Sequence, residues 1–268
     1  MNLEPRILPR QILFPKRTAA PDDSPAKKKV REQESSWDRM DPRQCVVLVP
    51  VGQYVEPGCE EGLRELEKRG YEVRRTRGFS AIDVGRSQMA SDALATGFEE
   101  LMWIDSDIAF HPDDVEKLRG HQLPLMGGIY AKKSRHEFAC AFLPGTESVL
   151  FGQGGKVMAV LYAGFGFMLT RKGVYETMQQ KLGLSKCNQR FGSGMVPYFA
   201  PMTVEDLQGK WYLAEDYAFC ERARLSEFQV QIDPSIRLWH VGSYGFGWED
   251  AGSAKERYAS YRFGLKQS

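Results

Sequence analysis

Two carboxylates separated by a single serine, Asp105-Ser106-Asp107, follow directly on the apolar run Leu101-Met102-Trp103-Ile104. If that run is an extended strand, residues i and i+2 project to one face, and Asp105 and Asp107 converge on one point at its end. The run is apolar without alternation, as in a parallel strand covered on both sides. Open α/β sheets gather ligands at the carboxyl ends of such strands. A carboxylate pair there suits Mg²⁺ or Mn²⁺, ions that take oxygen ligands, and Mg²⁺ commonly binds one or two carboxylates together with substrate phosphates. The offsets exclude an EF-hand, which needs a glycine and further ligands downstream. An aspartate that merely caps the next helix accounts for one carboxylate and leaves the other idle.

Two later stretches carry matching chemistry. Glu215-Asp216 opens a helix after a long loop, a place where acids ordinarily serve as partners of the helix dipole. Ile236-Arg237-Leu238-Trp239-His240 ends an apolar strand on an imidazole, a common metal ligand able to complete the coordination begun by the aspartates.

The elements needed to position these groups can be read around them. The run Cys45-Val46-Val47-Leu48-Val49-Pro50 predicts a strand, followed by a loop through Tyr54 and a helix from about 56 to 69 closed by Gly70. Residues 71–75 alternate like a second strand, Asp83 to about 97 reads as a helix, and Pro112-Asp113-Asp114 starts another with acids at its positive end. This alternation predicts an α/β layered domain with a largely parallel sheet. Beyond Gly120, strands are expected at 125–130, 138–142, 156–162, 166–169, 229–232 and 236–239, with helices at 172–182 and 215–225. Residues 187–211 read as a long loop without regular structure, the kind that binds ligands or acts as a lid.

Taken in order, Val49-Pro50-Val51-Gly52, Gly85-Arg86-Ser87 at a helix start, Trp103-Ile104-Asp105-Ser106-Asp107-Ile108, Gly164-Phe165-Gly166, Glu215-Asp216 and Trp239-His240 form a series. It resembles the GT-A class of nucleotide-sugar-dependent glycosyltransferases, over roughly residues 44 to 245. The resemblance implies a Rossmann-like three-layer α/β sandwich with a mostly parallel central sheet and a smaller antiparallel sheet on the acceptor side. It also implies a nucleotide-binding half at about 43–120 and an acceptor-side half at about 121–268.

For the site, the resemblance implies Mn²⁺ or Mg²⁺ on Asp107 with Asp105 and His240. It places a nucleoside-diphosphate sugar against Pro50, Val51, Tyr54, Asp83, Arg86, Asp105, Ser106, Gly164 and Phe165. Arg86 would meet the diphosphate with fork-like donors, Lys132 and Lys133 could add charge nearby, and the two glycines would let the backbone approach the sugar. Asp216, beside Glu215, would be the general base of an inverting transfer to a hydroxyl or, in a retaining transfer, would only orient the sugar or acceptor.

Other chemistry stays open. A sugar-nucleotide pyrophosphorylase or other nucleotidyltransferase would be expected to carry a basic Gly-rich loop after the first strand, and residues 51–58 hold no Lys or Arg. A non-catalytic module with a degenerate donor site is the third reading. The acceptor, whether a glycan, a protein or a modified nucleobase in DNA, is not specified. A net charge of +1 gives no bulk attraction to nucleic acid.

At 268 residues and 42% hydrophobic content, one substantial core with an extension is expected. Residues 1–42 are punctuated by Pro5, Pro9, Pro15, Pro21 and Pro25 and carry Lys27-Lys28-Lys29, which predicts an extended leader. Its Ile7-Leu8 and Ile12-Leu13-Phe14 offer an alternative role as a homodimerising arm. Five dispersed cysteines, the lack of a membrane-length apolar run and the lack of a signal-peptide segment point to a cytoplasmic protein without a membrane span.

Overall fold

Successive residues of the first predicted strand face opposite layers of the molecule. Val46 and Leu48 join a core with Leu101, Trp103 and Phe219, whereas Cys45, Val47 and Val49 join one with Met102, Ile104 and Leu63. That period of two is the strand signature, and both faces are apolar because both are covered. The computed structural model describes residues 40–133, 136–206, 209–252 and 260–265. The proposed leader and dimerising arm lie, but for their last three residues, outside these.

Along the chain come β1 (Cys45–Pro50), α1 (Pro57–Lys68), β2 (Glu72–Thr76), α2 (Ile82–Ala95), β3 (Glu100–Ile104), β4 (Ile108–Ala109), α3 (Asp113–Gly120) and β5 (Leu125–Gly127). Next are the short β6 (Cys140–Ala141), β7 (Ser148–Gly152), β8 (Met158–Val160) and β9 (Tyr162–Ala163). They lead to β10 (Phe167–Arg171), α4 (Lys172–Leu182), β11 (Met202–Asp206), β12 (Gly209–Leu213) and α5 (Glu215–Leu225). The described chain closes with β13 (Val230–Ile232), β14 (Trp239–Val241), β15 (Gly245–Phe246) and β16 (Ser260–Gly264).

Seven strands form the central sheet in the order β2-β1-β3-β10-β5-β13-β8. The pairings make β2, β1, β3, β5 and β13 run one way and β10 and β8 the other. The sheet is thus mostly parallel, and smaller antiparallel sheets surround it. Apolar residues of α1 and α3 (Leu63, Leu66, Val115, Leu118) cover one face; those of α2, α4 and α5 (Met89, Tyr175, Phe219) cover the other. Close approach is built in where α1 crosses β4: a Cβ on Gly62 would lie 2.8 Å from the Phe110 ring. The helix then stops at Gly70, whose φ of +91° only glycine adopts freely.

Three sequence expectations shift. The expected loop 187–211 contains most of an antiparallel hairpin, β11 with β12, in which Val204 pairs with Trp211 and Thr203 with Tyr212. The strand expected at 236–239 begins at Trp239, because Ile236 and Leu238 are anchored in the core ahead of it. The unforeseen β16 pairs with β7. No helix among the described residues is long and apolar enough to cross a membrane, and none of the five cysteines is in a disulfide.

Candidate functional site

Asp105 and Asp107 lie where β3 ends at the carboxyl edge of the sheet, but not on an extended strand. The Ile108 amide donates to the Asp105 carbonyl at 3.0 Å, closing a turn over 105–108. Three further bonds hold this turn. The Asp105 amide donates to the Gly166 carbonyl at 3.0 Å, the Ser106 carbonyl accepts the Glu56 amide at 2.8 Å, and the Asp107 carbonyl accepts the Val241 amide at 2.7 Å. The i, i+2 argument therefore fails here. The turn gives each carboxylate its own set of partners.

Asp105 faces Arg86. Nη2 of Arg86 donates to Oδ1 at 2.7 Å, and its Nε lies 3.9 Å from Glu215. The guanidinium packs over the rings of Trp103 and Phe165, 5.6 and 5.8 Å from their centroids. Arg86 is only 3% exposed, so its place is behind the aspartate. It is not the surface donor to a diphosphate that the resemblance implies. Its Nε and Nη1 have no hydrogen-bond partner among the described residues.

Asp107 faces the opposite way. Its Oδ2 accepts from Lys133 Nζ at 2.5 Å and lies 3.5 Å from His240 Nε2. Pairing of β14 with β4 sets His240 beside Ile108, which brings the imidazole next to the turn. His240 Nδ1 lies 3.0 Å from the Ala131 carbonyl. A carbonyl can only accept, so Nδ1 carries a proton, and Nε2 is the ring nitrogen that faces Asp107. Burial alone would raise the Asp107 pKa, but the hydrogen bonds and charges of His240 and Lys133 outweigh it and hold the carboxyl below its ordinary value.

One oxygen and one nitrogen base facing each other suit a divalent ion that takes its remaining ligands from phosphate. The fixed Nδ1 is the outer contact that orients a ligating histidine. The pair is chemically compatible with such an ion. Asp105, held by Arg86, is not drawn into that pair, and no three His, Cys, Asp or Glu side chains form a metal-binding group among the described residues.

Glu215 and Asp216 form the first turn of α5. The Tyr217 amide donates to Asp216 Oδ1 at 2.8 Å. Burial, reinforced by the charge of Glu215, pushes the Asp216 carboxyl up to about 6, against the opposing pull of the Tyr217 amide and Arg86. A carboxyl so raised is matched to proton transfer near neutral pH.

Tyr130 stands between the two groups. Its ring packs edge-on against His240 at 5.2 Å, and its hydroxyl accepts the Gly166 amide at 3.0 Å. A Cβ on Gly166 would lie 2.6 Å from that hydroxyl, and one on Gly164 would also strike it. Both glycines therefore make room for Tyr130 and not, as expected, for a sugar. Phe165 between them is buried among Trp103, Phe199 and Phe219, so it is a core residue and not a donor contact. No local pattern marked Tyr130 or the Lys133 contact, although two glycines around a buried aromatic hint at a large side chain pressed against them.

Of the remaining expected residues, Ser106 belongs to the turn, and the others lie on β1, the loop after it and α2. Pro50 and Val51 are buried at the end of β1, with the Val51 amide bonded to Thr76 at 2.8 Å. Tyr54 is 59% exposed in the following loop, which reaches the turn through the bond from Glu56 to Ser106. Ser106 is half-buried, as is Asp83 in the first turn of α2. The hairpin leading into Glu215 exposes Trp211 and Tyr212.

No protein-family model matches the chain, and no curated protein matches its sequence. Among solved structures it is similar to A197 from STIV, with 15% identity over 75% of this chain and 86% of that one and a TM-score of 0.47.

Proposed function

We propose that the protein is a metal-dependent glycosyltransferase of the GT-A kind, moving a sugar from a nucleoside-diphosphate sugar to a hydroxyl acceptor. The observation that carries this reading is the meeting of Asp107 and His240, 133 positions apart in sequence, at the carboxyl edge of a mostly parallel sheet. These two residues would hold Mn²⁺ or Mg²⁺, which would supply Lewis-acid neutralisation of the departing nucleoside diphosphate.

The chain's own residues do the rest. Arg86 fixes the rotamer of Asp105 from behind, so that Asp105 presents its outer oxygen to the ribose or sugar hydroxyls of the donor. The loop from Val51 to Tyr54 receives the nucleobase, with the exposed Tyr54 ring as a stacking face. Asp216 takes the proton of the acceptor hydroxyl as it attacks the anomeric carbon, an inverting displacement. Its raised pKa suits that task. Trp211 and Tyr212, on the hairpin leading into Asp216, present aromatic faces to the acceptor.

The test is a screen of sugar nucleotides with Mn²⁺, Mg²⁺ or chelator. The expected result is release of sugar and nucleoside diphosphate from one donor, dependent on the ion. Pyrophosphate release from a nucleoside triphosphate and a sugar phosphate would instead assign the site to a pyrophosphorylase.

A further inference from the structure

The two aspartates of the turn differ in how their charge is balanced. Asp105 pairs with a buried arginine locked between two aromatic rings. Asp107 pairs with Lys133, whose side chain is one-third exposed. An arginine fork stacked in a core is a fixed partner; a lysine ammonium on a flexible four-carbon stem can leave.

We propose that Lys133 is a tethered cation that occupies the ion position at Asp107 until a diphosphate draws it away, so that divalent ion and diphosphate bind as a coupled pair. The proposal rests on the reading of this site as a donor site.

The backbone supports such a movement. Lys133 follows a pinned base: Ala131 is bridged to Phe138, and the Lys132 amide donates to the Glu137 carbonyl at 2.8 Å. The side chain can swing while its Cα stays in place. Its ammonium now bonds the same Oδ2 that faces His240 Nε2. An incoming ion meets both a competing positive charge and an oxygen already engaged.

The surroundings also call for two cations. Asp105, Asp107, Glu215 and Asp216 face Arg86 and Lys133 as nearby positive charges. A diphosphate added alone would meet a surplus of negative charge. With an ion on Asp107 and His240, the released ammonium has the diphosphate as its new partner. Each ligand therefore improves the site for the other, by an equal factor in both directions.

The experiment is Mn²⁺ binding to the full chain without nucleotide, followed by electron paramagnetic resonance, in the wild type, Lys133→Met and Asp107→Asn. Lys133→Met is expected to bind Mn²⁺ about tenfold more tightly than the wild type, and Asp107→Asn to lose the site. Binding of UDP, GDP, ADP and CDP in the presence of Mn²⁺ forms the second arm, where Lys133→Met should weaken the nucleotide that binds the wild type by about tenfold. Thermal melting establishes that each variant is folded.

Equal Mn²⁺ affinity in wild type and Lys133→Met, with equal nucleotide affinity, overturns the role of the lysine and leaves the donor site standing. If none of the nucleotides binds the wild type while Lys133→Met still tightens Mn²⁺, the donor reading falls and the coupling to diphosphate falls with it.

Discussion

Arg86 reaches Asp105 from inside the core, with 2.7 Å between Nη2 and Oδ1, so the first aspartate of the turn is oriented by a residue that substrate does not meet. The same guanidinium lowers the pKa of Asp216. Arg86→Met should therefore move the acidic limb of the pH–rate profile above its wild-type midpoint. It should also lower kcat/KM by about a hundredfold through the loosened Asp105. A variant with lowered kcat/KM but an unmoved limb would limit Arg86 to a packing role.

In the proposed reaction Asp216 sets that limb in the wild type. As a base it works deprotonated, so kcat/KM should rise with pH through about 6 and level off above. Asp216→Asn should remove the limb and cost about 10²–10⁴-fold in rate. A flat profile in the wild type, or full activity in the variant, would take the base role from this residue.

Space at Gly166 is a separate matter. A Cβ there would press on the Tyr130 ring and hydroxyl, with its nearest contacts between 2.6 and 2.9 Å. Gly166→Ala should lower stability in urea unfolding by about 1–3 kcal/mol, the usual cost of overpacking. An unchanged midpoint and slope would show that Tyr130 moves aside without cost.

Asp233 gives a pH signature of stability away from the site. Burial would raise its pKa, yet bonds from His121 and Ser235 and the charge of Lys117 bring it down to about 2 from an ordinary 3.8. Because the folded value is the lower one, its stabilisation is present above 3.8 and is lost as pH falls through about 2. The contribution is about 2 kcal/mol. Urea unfolding of wild type and Asp233→Asn between pH 5 and 2 should converge at the acid end; parallel curves would contradict this.

Much of the scaffold was legible because it depends on local pattern. The unbroken apolar run 101–104 marked a strand covered on both faces, and Gly70 marked the end of α1. The hairpin β11–β12 was obscured by the Gly- and Pro-rich stretch before it, although Thr203, Val204, Trp211 and Tyr212 are strand-forming residues on either side of Gly209. At the site, the order of motifs led to Asp107 and His240 being read together, and they lie 3.5 Å apart. Arg86 was expected at the diphosphate because burial leaves no local mark, whereas the charge that Lys133 was expected to add nearby falls on Asp107. A buried arginine on α2 and a surface lysine at 133 look alike until the sheet brings one behind Asp105 and the other onto Asp107.

The central claim is that Asp107 anchors the ion on which donor cleavage depends. Its most direct test is turnover of the cognate sugar nucleotide by Asp107→Ala, measured across a Mn²⁺ titration, with circular dichroism to establish the fold. The expected result is loss of ion-dependent turnover at every Mn²⁺ concentration in a folded protein. Wild-type turnover with an unshifted Mn²⁺ dependence would contradict the account.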